Sequence, residues 1–184
     1  MNTRRLAVLS TLVLLTISTP LFADNQKGFS LTATVAEQLT FDPTSRCFDP
    51  AKFPAPPITG LTGNTQGVSD DTKHLGPGPV QIVTSDCPNL ATLDFTDGRL
   101  TLTNKKGEQL RGTYQGQLVP VGPAPTGLRT KITGTVIITG GTGRFENATG
   151  SGVLGGFFDL TPSYSASGQI IVTGIYDTKH KNKD

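Results

Sequence analysis

From Phe29 to Val35 every second residue is apolar: Phe29, Leu31, Ala33 and Val35 alternate with Ser30, Thr32 and Thr34. The pattern returns along the chain. Leu93 and Phe95 alternate with Thr92, Asp94 and Thr96; Leu100 and Leu102 alternate with Arg99, Thr101 and Thr103. Near the C-terminus, Ile170 and Val172 share one face with Gly174 and Tyr176, while Ile171, Thr173 and Ile175 share the other. Period two puts one face of an extended strand on a core and the other toward water. After residue 23, no stretch holds apolar residues at i, i+3, i+4 and i+7 for three turns, so the pattern excludes a helical core.

Turn chemistry punctuates these runs. Asp97-Gly98 carries a two-residue hairpin signal, and Asn104-Lys105-Lys106-Gly107 reads as a longer hairpin loop. Pro120 to Gly127 reads as a loop and Thr161-Pro162-Ser163 as a turn. The stretch from Asp42 to Pro57 holds five prolines (Pro43, Pro50, Pro54, Pro56, Pro57), which neither a helix nor a central strand tolerates. Strands are expected near 28–40, 58–67, 79–85, 90–96, 99–104, 108–119, 128–139, 150–160 and 166–177. Eight or nine strands at hairpin spacing describe an all-β, antiparallel up-and-down meander. Closure into an eight-stranded barrel is favoured because it leaves no exposed edge. A two-sheet β-sandwich is the alternative.

The first 23 residues read as a signal peptide: Arg4 and Arg5, an apolar run from Leu6 to Ile17, a break at Pro20, and cleavage after Ala23. The apolar run is a dozen residues, short of the ~20 that span a bilayer. A single domain over 24–178 follows, with a basic, disordered tail at 179–184. Removing Arg4 and Arg5 from the 16 basic residues leaves 14 against 14 acidic ones. That balance shows no basic face for nucleic acid. The expected location is secreted or periplasmic, with no membrane attachment in the mature form. Cys47 and Cys87 are the two cysteines. In an exported chain they are expected to form one disulfide, which closes a loop of about 40 residues.

Val136 to Gly150 (VIITGGTGRFENATG) has the look of a phosphate-binding turn, but the third glycine of that fingerprint falls on Glu146. Four glycines (150, 152, 155, 156) crowd the segment where a helix should follow. The stretch is better read as a strand, a sharp reversal at Gly140 and Gly141, and one helical turn after Thr142. In that reading Thr142 caps the turn, Gly143 opens it, and Phe145 plugs the end of a core.

With its neighbours this turn resembles the GGTG-x-F turn of the allene oxide cyclase and dirigent-type β-barrels. It resembles still more a set of bacterial exported proteins of unknown function. Those proteins share a THLG segment, an NGD-x-L…Y-x-G hairpin and an ITGGTGRF-x-x-ATGSG run. The matching residues here are Lys73-His74-Leu75-Gly76, then Lys106-Gly107-Glu108-Gln109-Leu110 with Tyr114 and Gly116, and then Ile138 to Gly152. The resemblance implies an eight-stranded calycin-type barrel. It carries over no catalytic or ligand-binding residue, because no motif places the plant proteins' pocket residues on this chain.

Other groups offer candidate chemistry. Asp70, Asp71 and His74 offer oxygen and imidazole ligands, but a zinc site needs three or four, and no metal or cofactor is expected. Tyr114, Tyr164 and Tyr176 are candidates to face a lumen, and Glu37, Asp94 and Glu108 are acids that sequence alone places neither inside nor outside. Three functions are compatible with such a barrel. It binds a small apolar molecule in its lumen, it is an isomerase or cyclase like the plant barrels, or it is structural with a filled lumen. The binding reading leads and needs an apolar cavity, usually of ~300 Å³ or more. The enzymatic one needs a buried polar cluster with shifted ionisation beside it. A homo-oligomer is compatible with all three.

Overall fold

A computed structural model describes residues 26–51, 60–125 and 127–178, with the backbone alone for 70–73. The expected leader and basic tail lie outside the described residues. Eight strands follow in order: β1 Gln26–Phe41, β2 Leu61–Lys73, β3 Val80–Asn89, β4 Asp94–Thr103, β5 Gln109–Ala124, β6 Gly127–Gly141, β7 Ala148–Leu160 and β8 Ser165–Thr178. Each pairs antiparallel with the next, and β8 pairs back onto β1 from Gln26–Asp177 to Gln38–Ser165, so the sheet is a closed up-and-down barrel. Closure removes the sandwich alternative.

The alternation sets which side chains face inward. Phe29, Leu31, Ala33 and Val35 are buried, as are Val80 and Ile82 on β3, Leu100 and Leu102 on β4, and Ile170 and Val172 on β8. They form one continuous core inside the barrel. On the outer wall the intervening residues are mostly polar, although Ile137, Val153, Phe157 and Ile175 are exposed there.

Two local readings are corrected. Asp97-Gly98 is not a hairpin: the two strands expected at 90–96 and 99–104 are replaced by the single strand β4, and 90–93 forms the turn before it. Cα partners step from Phe95–Gly116 to Gly98–Tyr114 on one side and from Thr96–Cys87 to Arg99–Ser85 on the other. One extra residue is therefore accommodated as a bulge, with Asp97 in the left-handed region at φ 48°. A bulge and a tight hairpin ask for the same residues, and only pairing on both sides tells them apart. The hairpin lies earlier, where the Leu93 amide bonds the Asn89 carbonyl at 2.7 Å.

Pro120 to Gly127 is likewise mostly strand: β5 continues to Ala124 and β6 begins at Gly127. Beyond Gln117, β5 pairs only with β6. Prolines at such an edge forfeit no ladder bond on their open side.

Cys47 and Cys87 form a disulfide with a sequence separation of 40. It ties the long β1–β2 connection to β3. In the chain-entropy model a loop of that length contributes about 3–4 kcal/mol. Reduction under native conditions should therefore lower the unfolding free energy from urea titration by that amount, and a loss under about 1 kcal/mol would show that the connection is ordered without it.

The turn after β6 is a single 3-10 turn, Gly143–Phe145, followed directly by strand β7. The glycine-rich segment that a nucleotide fold would need as a helix is thus extended. Gly143 sits at φ 60°, and a Cβ on Gly141 would collide with the Gln109 carbonyl, so these two positions require glycine. Thr142 does not cap the turn through its side chain. Its hydroxyl instead accepts the Gln109 amide at 3.0 Å, which ties the turn to β5.

Candidate functional site

The two ends of the barrel differ. At one end Phe145 is 1 % exposed and closes the lumen. Its ring meets Tyr176 edge-on with centroids 5.7 Å apart, and Tyr176 in turn packs on Phe29 at 6.0 Å. The Arg144 guanidinium stacks over the Phe145 ring at 4.6 Å and donates to the Leu75 carbonyl. Glu108 accepts the Arg144 amide at 3.3 Å and the Asn104 side-chain amide at 3.0 Å. Asn104 also reaches the Leu75 carbonyl at 3.2 Å, and the Tyr176 hydroxyl bonds the His74 carbonyl at 3.1 Å. The segments around Leu75, Glu108 and Arg144 thus meet at one place and build a plug.

The other half of the lumen is not filled. A cavity of about 220 Å³ lies between all eight strands, and extends toward the β3–β4 and β7–β8 turns. Its walls are apolar, with Leu100, Ile132, Val136, Leu154 and Ile170 among them. It is somewhat smaller than the usual ligand pocket. A cavity of ~150 Å³ is nonetheless enough for benzene, so a ring with a short substituent fits.

Polar groups gather on one wall of this cavity. Glu37 continues the inward stripe of β1 beyond Val35, and Asp86 continues that of β3 beyond Val80, Ile82 and Thr84. Gly63 on β2 lies beside both. A Cβ there would collide with Glu37 Oε1 and lie 2.5 Å from Asp86 Oδ1, so the two carboxyl groups share the space that glycine leaves. Asp86 is 6 % exposed, and its Oδ2 accepts the Tyr114 hydroxyl at 2.7 Å. Asp86 Oδ1 is buried and has no hydrogen-bond partner among the described residues. Glu37 is half-buried and lines the cavity.

The environment changes the ionisation of all three. Loss of water around Glu37, reinforced by the charge on Asp86, pushes its carboxyl up to about 8. Desolvation also pushes Asp86 up to about 6, against the opposing Tyr114 hydrogen bond and the Arg46 charge. Burial, then the Asp86 charge, holds the Tyr114 phenol well above its ordinary value. Near pH 7 the pair therefore holds one proton and one negative charge, a combination that both donates and accepts. Arg46 lies outside the wall, where it binds Asp97 at 2.7 Å and the Ser85 carbonyl at 2.9 Å.

The candidate residues separate accordingly. Glu37 and Tyr114 come together in the cavity, Asp94 lines it, and Tyr164 also lines it while remaining exposed. Glu108 and Tyr176 belong to the plugged end. His74 is exposed and donates from Nδ1 to the Gly28 carbonyl at 2.6 Å. The side chains of Asp70 and Asp71 lie outside the described residues, and no three His, Cys, Asp or Glu are grouped for a metal among the described residues. Asp86 escaped the sequence reading. The available signal was its parity with Val80, Ile82 and Thr84. No helix among the described residues is long and apolar enough to cross a membrane. Against known proteins, the chain matches no family model, no curated protein and no solved structure.

Proposed function

We propose that this is an exported barrel that takes a small, largely apolar molecule into its lumen and orients it by one polar group at the Glu37–Asp86–Tyr114 cluster. The observation that carries this reading is the apolar cavity of about 220 Å³. A barrel serving only as a scaffold gains by filling such space, because each buried void forfeits packing energy. The disulfide supports the exported setting, since such bonds persist in oxidising compartments.

Titration of the folded protein with 2-phenylethanol, followed by amide NMR, tests the reading. Saturable shifts at Leu93, Ile132 and Val136 with sub-millimolar affinity are expected for a ligand of this size. A Leu154→Trp variant that still melts cooperatively should abolish them. Absence of saturable shifts in the wild type would sink the binding reading.

A second reading, the isomerase or cyclase suggested by the resemblance, is favoured by one observation: a protonated carboxyl beside an ionised one is a matched acid–base pair. It predicts chemical conversion of a bound molecule that stops in Asp86→Asn while binding persists.

A further inference from the structure

We infer that the molecule this cavity selects is a small apolar amine, its protonated nitrogen seated between the carboxyl groups of Glu37 and Asp86. The inference rests on the binding reading above and adds the charge of the head group.

Three placements support it. Two acids line the cavity side by side, and Glu37 Oε1 and Asp86 Oδ1 converge on the space above Gly63. Asp86 is more than nine-tenths buried, yet its Oδ1 has no partner among the described residues. A buried acceptor without a donor is costly, and a donor supplied by a ligand would recover that cost. Finally, no lysine or arginine is among the described residues lining the cavity. Arg46 is committed to Asp97 and Ser85 on the outside.

The charged and titratable groups facing the space are Glu37 from β1, Asp86 from β3, Asp94 from β4, Tyr114 from β5 and the exposed Tyr164 from the β7–β8 turn. The other strands present Thr65, Ile132, Leu154 and Ser165. The field in the cavity is therefore negative.

Head groups differ sharply in such a field. An ammonium donates several charge-assisted bonds, to both acids at once. An alcohol satisfies one acceptor and leaves the charge unpaired. A carboxylate adds a further negative charge. Because Glu37 holds its proton up to about pH 8, an arriving ammonium must expel that proton. Binding should therefore release protons and tighten as the pH rises from 6 to 8.

The test compares phenethylamine, 2-phenylethanol and 3-phenylpropionate on the intact, disulfide-bonded chain by calorimetry at pH 6 and pH 8. The amine should bind at least tenfold more tightly than the alcohol at pH 8, and the acid most weakly. The amine's affinity should be at least tenfold higher at pH 8 than at pH 6, with proton release visible as a dependence of heat on buffer ionisation. In Glu37→Gln/Asp86→Asn the amine should lose its advantage over the alcohol, together with its proton release and its rise in affinity between pH 6 and pH 8. Equal binding of alcohol and amine by the wild-type chain would overturn the head-group assignment and leave the apolar cavity standing. Failure of all three to bind would overturn both.

Discussion

Phe145→Ala should destabilise the fold by about 4–5 kcal/mol, at the upper end of large-to-small core substitutions. The side chain is 1 % exposed and closes one end of the barrel. Three effects add. The ring's burial is lost, a void opens at the end of the core, and two partners lose their contacts. Those partners are Tyr176, edge-on at 5.7 Å, and the Arg144 guanidinium at 4.6 Å. For a chain of this size the expected drop in Tm is roughly 10–15 °C. Phe145→Leu keeps most of the volume and should cost under about 1.5 kcal/mol. Ligand affinity, measured where the variant is still folded, should not change, because the cavity lies in the other half of the lumen. A Tm loss below about 3 °C would mean that the plug is ornamental. A parallel loss of affinity would mean that the two halves are coupled.

That separation also explains what the sequence could show. Alternation in β1, β4 and β8 identified the inward faces, and the run of hairpins pointed to closure. The glycine pattern after Val136 correctly argued against a nucleotide fold. The segments around Leu75, Glu108 and Arg144 interlock through Arg144. They mark the plug and say nothing of the cavity. The site itself is written more faintly. Glu37 and Asp86 each stand at the end of an apolar stripe, where a charged residue ordinarily means that the strand has left the core. Only the closed sheet keeps these positions inside. Tyr114 belonged to the recognised hairpin, but its partner Asp86 comes from β3, 28 residues away. Asp97-Gly98 and the prolines of β5 were misread for a related reason: the local chemistry of a turn also serves a bulge or a one-sided strand.

Raising the pH from 5 to 9 should destabilise the protein by on the order of 5 kcal/mol, the reverse of the trend expected for salt-bridged carboxylates. The sign follows from the direction of the shifts. Glu37 rises from 4.5 to about 8 and Asp86 from 3.8 to about 6 on folding. Between the unfolded and folded values the native chain holds protons that the unfolded chain releases. Stability therefore falls with increasing pH across that window, and the contribution is fully present only below it. At about 1.4 kcal/mol per pH unit, Glu37 dominates, and much of the Asp86 contribution is the same repulsion seen from the other side. Asp42, Glu108 and Asp159 act oppositely. Their hydrogen bonds lower them, so what they contribute is lost only as the pH falls through the ordinary carboxylate range. The two trends cross near pH 5, where stability should peak. Urea unfolding at pH 5, 7 and 9, at fixed ionic strength and with the disulfide intact, measures this directly. Glu37→Gln/Asp86→Asn should flatten the profile above pH 5. A flat wild-type profile would mean that water or a counter-ion keeps both acids ionised in the folded chain. The proton an amine must expel would then be absent, and amine binding would lose its rise between pH 6 and pH 8. The stability profile and the binding profile must report the same window, because both titrate the same pair.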